Sequence, residues 1–194
     1  MLDRFAGWLV GRMLASQAFP KEDAPLVSFG IVQGLRTLIE IILLLCTGLS
    51  MNLFWQGVVI LLAFMPLRIY AGGYHARTPM QCAVKTWILF FGILFLYRFA
   101  PGLLWIQILI LVITGLSLWR FAPVEHENKP LEEYEVIKYR KRAFGVYGTE
   151  TALFVILQLL GAAGAARCIV LGIGMMLLIM WIGVWVNWRG HHYE

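Results

Sequence analysis

The sequence predicts an all-α, polytopic membrane protein, and three observations predict it. Only 14% of the 194 residues are charged and 60% are hydrophobic, where a soluble domain carries about 25% charged residues. Mean hydropathy is +0.76, more apolar surface than one core of this length can hide, which makes a bilayer the solvent. The apolar residues also gather into runs near the ~20 residues that a bilayer requires. The net charge of +5 does not point to nucleic acid as a partner. Its basic residues sit between apolar runs, the pattern of positive-inside topology. Cys46, Cys82 and Cys168 are too few and too scattered for a disulfide framework.

The elements follow in chain order as one domain over 1–194. Residues 1–20 place Leu2, Phe5, Trp8, Leu9, Met13 and Phe19 largely on one helical face, with Arg4, Arg12 and Ser16 off it. That pattern suits an amphipathic helix lying in the membrane interface. Six transmembrane helices are then expected at about 26–48, 51–67, 82–99, 102–119, 150–166 and 168–188. Short links fall near Ser50, Pro101 and Arg167, and a long charged segment runs from Arg120 to Glu150. With both termini inside, Arg4, Arg12, Lys21, Arg68, Arg77 and Lys85 face the cytoplasm, as do the basic residues of 120–149 and Arg189. Arg98 and Arg167 fall outside and Arg36 lies within a span, so the segment 68–82 is expected on the cytoplasmic side of the membrane.

That segment, RIYAGGYHARTPMQC (68–82), is the polar interruption in the chain. Thr78-Pro79-Met80-Gln81 has the form of a helix start with a capping box. Cys82 then falls in the first turn, where the helix dipole, Arg77 and Lys85 favour the nucleophilic form of a thiol. His75 precedes it across a bend that Gly72 and Gly73 permit. A histidine folded back on a helix-start cysteine is an arrangement for nucleophilic catalysis; the alternative is a solvated histidine beside an inert thiol. One histidine and one cysteine do not make a metal site, and no cofactor is expected. In the first span Arg36 and Glu40 lie four apart and can pair, either as a functional intramembrane pair or as an interhelix clamp. Glu40 is also placed to orient His75 if that span packs near it. The basic run KYRKR (138–142) suits an anionic lipid or an acidic peptide.

The run 68–82 resembles the core motif of the AgrB family, membrane cysteine endopeptidases of bacterial peptide quorum sensing. The run APVEHENKPL (122–131) is similar to that family's segment after the fourth span. The resemblance implies cleavage of an AgrD-like propeptide on the cytoplasmic side through an acyl-enzyme thioester. A cysteine or serine of the precursor then closes a thiolactone or lactone ring. It implies Cys82 as nucleophile and His75 as general base. Arg68 and Gly73 match the motif's arginine and glycine, Arg68 to anchor a carboxylate or stabilise the oxyanion, while Gly72 supports the bend. Lys129 and Pro130 match the second motif and serve the precursor or the fold. A homodimer is implied in the same way. The competing reading is a transporter or exporter of a small peptide or ion, suggested by Arg36, Glu40 and the broken helix at Gly72–Gly73.

Overall fold

A bilayer offers no partner to backbone N–H and C=O groups, so apolar runs must satisfy them internally as helices. The computed structural model describes residues 2–16, 19–73, 79–124 and 132–190. Its α-helices are α1 (Leu2–Ala15), α2 (Ala24–Ser50), α3 (Phe54–Ala71), α4 (Pro79–Phe99), α5 (Leu104–Phe121), α6 (Glu133–Leu159) and α7 (Ala163–Gly190). Among the described residues the strand content is one isolated bridge, and the all-α membrane architecture stands. The chain falls into two compact units, Met1–Cys46 and Thr47–Glu194.

In the first unit, α1 exposes Phe5 and Trp8 and buries Ala6 and Val10. Arg12 lies 5.1 Å from the centre of the Trp8 ring, so cation and aromatic share the face suited to the headgroup layer. On α2, Arg36 and Glu40 are both half-buried, one turn apart.

In the second unit α7 is the central helix. It buries Cys168, Ile173, Met175, Met176 and Met180 against α3, α4, α5 and α6. Gly172 makes the closest approach: a Cβ there would stand 2.6 Å from the Ile60 carbonyl oxygen of α3. Close backbone approach at small residues is how helices associate where lipid is as apolar as leucine. Trp181 donates from Nε1 to Ser117 Oγ at 3.0 Å, and Gly174 lies against Ile110. Both pairs are offset by the same number of residues, so α5 and α7 run parallel.

Among the described residues, five helices are long and apolar enough to cross a membrane: those within Lys21–Ser50, Phe54–Ala71, Met80–Phe99, Leu104–Phe121 and Ala163–Arg189. The last two expected spans have shifted boundaries. The link expected at Arg167 lies instead at Leu160–Ala162, and the charged segment from Arg120 to Glu150 contains the start of α6 at Glu133. A Glu132–Glu135 capping box starts α6, and Gly161 supplies the turn at φ 75°. Arg167 stays helical because its guanidinium has partners: it donates to the carbonyls of Leu96 at 2.9 Å and Ala100 at 2.8 Å. Its side chain also lies over the Tyr97 ring.

Polarity keeps α6 out of the group selected by composition, but its packing gives it the depth of a span. Arg140 donates to the Trp119 carbonyl. Tyr147 donates to the Leu111 carbonyl at 2.7 Å, and Gln158 donates to Gln107 Oε1 at 3.4 Å. These contacts run antiparallel along the whole of α5, so α6 crosses beside it. The bundle therefore has two distinct ends. Arg68, Lys85, Arg120, Lys138, Arg140, Lys141, Arg142 and Arg189 lie towards one end, and Arg98 and Arg167 lie at the other.

Candidate active site at the basic end

The bend after α3 is built by its glycines. Gly72 has φ 73° and Gly73 φ 123°, conformations that side chains rarely adopt. Arg68, one turn back on α3, donates from Nη1 to the Gly72 carbonyl at 2.9 Å. That bond closes the C-terminal end of α3, where carbonyls lack helical donors. A Cβ on Gly73 would stand 2.5 Å from Arg68 Nη1 and 3.2 Å from Ile179 of α7. Arginine, bend and central helix thus pack as one group. One of the five donors of Arg68 holds the bend itself.

The second motif meets the first here. Gly72 pairs with Val124 in a parallel bridge, and the Val124 N–H donates to the Ala71 carbonyl at 2.9 Å. The peptide bond before Pro123 is cis. Two stretches about fifty residues apart in sequence are therefore held together by backbone. Sequence reading identified both motifs but not their union, because no periodicity announces a single bridge.

Cys82 lies in the first turn of α4, which starts at Pro79, and its residue is partly exposed. Lys85 follows it on the same face one turn on. Phe90, fully buried, packs on Gly57 of α3, where a Cβ would stand 3.3 Å from its ring. Cys82 precedes Phe90 by eight residues on α4, towards the basic end of the bundle. His75, Arg77 and Thr78 lie outside the described residues, as do Lys129 and Pro130. Cys168 is 1% exposed in the core of α7, while Cys46 lies on an exposed face of α2.

Beside the bend is a groove of about 660 Å³ between α3 and α6. Pro66 and Tyr70 form one wall, and Arg142, Gly145, Val146, Thr149 and Glu150 form the other. Arg142 lies over the Tyr70 ring at 5.6 Å, and Tyr139 is 6.3 Å from the same ring. The basic run 138–142 is thus partly engaged with the first motif. Glu150 Oε2 is buried and has no hydrogen-bond partner among the described residues. Sequence reading used Glu150 only as a span boundary. A carboxylate inside a helix that packs on others was the missed signal.

The family model for AgrB, accessory gene regulator B, matches residues 3–181. An AgrB-like protein of Halalkalibacterium halodurans is 28% identical over 160 residues, covering 82% of this chain and 78% of its own. An AgrB-like protein 2 of Clostridium perfringens strain 13 is 26% identical over 149 residues, covering 73% and 70%. A further AgrB-like protein, from Listeria monocytogenes serotype 4a, is 27% identical over 121 residues, covering 61% and 59%. No solved structure matches. With the family match running from α1 into α7, and with both motifs joined at one bend, the chain belongs to the AgrB family.

Proposed function

We propose that this protein is a membrane-embedded cysteine endopeptidase that trims and cyclises an AgrD-like propeptide. The observation that carries the reading is Cys82 in the first turn of α4, at the basic end of a bundle whose two motif segments are bridged at Gly72 and Val124. Such a helix start favours an anionic nucleophile. The basic end is read as the cytoplasmic one, supported by the excess of Lys and Arg there.

In this reading His75 takes the proton of the Cys82 thiol, and the sulfur attacks the carbonyl carbon of the scissile peptide bond. The C–N bond breaks, His75 delivers the proton to the leaving nitrogen, and the tail departs with a new amino terminus. The remaining acyl group stays on Cys82 as a thioester. An internal cysteine or serine of the precursor then attacks that carbonyl, its proton returns through His75, and the Cys82 thiol is regenerated. A thioester retains enough of the cleaved bond's energy to close the ring without ATP, provided water is kept away. Arg68, already bonded to the bend, orients the backbone that leads to His75. The family reading also carries a homodimer, which pull-down of untagged by tagged copies from membranes checks.

The test is co-expression with an epitope-tagged AgrD-like precursor, followed by mass spectrometry. Wild type yields a shortened precursor, while Cys82→Ala and His75→Ala do not. A precursor still shortened in Cys82→Ala removes the nucleophile assignment. Export of an uncleaved peptide, unaffected by Cys82→Ala, would favour the transporter.

A further inference from the structure

The α3–α6 groove has a polarity that bilayer packing alone does not require. Along α6, Arg142, Gly145, Val146, Thr149 and Glu150 recur at three- and four-residue steps, so one stripe of the helix faces it. Gly145 has open space where a Cβ would be. On the facing wall Pro66 sits inside α3, and without an N–H it leaves the Leu62 carbonyl short of its helical donor. On the α6 wall the groove carries the Thr149 hydroxyl, which donates to the Gly145 carbonyl at 2.9 Å and keeps its lone pairs, and Glu150, whose Oε2 is enclosed without a hydrogen-bond partner among the described residues. The groove's other end carries a guanidinium, Arg142, steadied over Tyr70. Arg142 and Glu150 are eight residues apart, about 12 Å along the helix.

We propose that this groove is the seat of a peptide segment, with Glu150 as a specificity-determining residue that accepts hydrogen bonds from the peptide's donors. The proposal rests on the peptidase reading and deepens it. A distance of about 12 Å takes roughly four residues of extended chain. The occupant is a peptide that presents N–H or ammonium donors towards the middle of the membrane and a carboxylate at the basic end. Charge complementarity selects it. An anionic lipid headgroup would satisfy Arg142 but bring no donor to the Glu150 carboxyl, which would stay buried and unpaired at a cost. A peptide satisfies both ends, and its unpaired backbone N–H groups are the donors that a bilayer otherwise leaves unmet.

The experiment uses the full-length protein in membranes, with p-benzoylphenylalanine in place of Tyr70, an aromatic already in the groove wall, and the tagged precursor co-expressed. In a Cys82→Ala background, light should crosslink position 70 to the precursor. Glu150→Leu should lower the yield about tenfold, the worth of one buried hydrogen bond, while Glu150→Gln, which retains an acceptor oxygen, should recover much of it. Val146→Trp, which fills the groove without touching a polar group, should lower cleavage in an otherwise wild-type protein. Crosslinks to phospholipid alone, or wild-type cleavage in both Glu150→Leu and Val146→Trp, would overturn the groove proposal and leave the peptidase reading standing. A strong, Glu150-dependent crosslink together with an uncut precursor in wild type would remove the peptidase reading and leave the groove.

Discussion

At Gly73 one added carbon would stand 2.5 Å from the Arg68 guanidinium and strain a backbone at φ 123°. Gly73→Ala should therefore displace both the arginine and the bend, and precursor cleavage should fall at least about tenfold. Gly92, whose Cβ would meet nothing within 4 Å, is the control, and its alanine variant should cleave as wild type. The same scale separates the thiols. A charged, water-soluble maleimide should label Cys82 in inverted vesicles within minutes. Cys168, 1% exposed, should label only after denaturation. Equal labelling of the two would remove the distinction between a helix-start thiol and a packed one.

At the scale of elements, the approach of α7 to α3 turns on Gly172, where a Cβ would press on backbone atoms of α3 that cannot yield. Gly172→Ala should lower stability by about 1–3 kcal/mol, the usual cost of overpacking, read as a drop in thermal unfolding temperature in detergent. The apolar helices α2 to α5 were legible in the sequence to within a few residues because hydropathy alone defines them. The starts of α6 and α7 were not, since a charged residue reads as a break in a hydropathy window. Arg167 stays helical by donating to the carbonyls at the end of α4, and α6 carries its charged first half as helix through a capping box. Both depend on contacts far along the chain, which no local window contains. At the site, the sequence pointed to the bend, the helix start and Cys82, but not to the Val124 bridge or the Glu150 groove. These arise only when α3, α5 and α6 come together.

For the whole molecule, the concentration of Lys and Arg at one end of the bundle sets its expected orientation. Alkaline phosphatase fused after Gly102 should be active, because that turn lies with Arg98 and Arg167 at the sparsely charged end. A fusion after Arg189 should be inactive, and the reverse pattern would invert the proposed siting of the chemistry. The antiparallel pairing of α5 and α6 bears on how the protein is made. Read alone, α6 is too polar to partition from the translocon into lipid, yet it finishes at the depth of α5. Its entry must then be conditional, awaiting the neighbours that take up its tyrosine, glutamine and arginine. A chain truncated before Ala163 lacks α7, so its α6 should remain accessible to protease at the membrane surface, whereas the intact chain protects it. Biogenesis would thus complete the groove wall and the last crossing in one step, and only in a chain that has been finished.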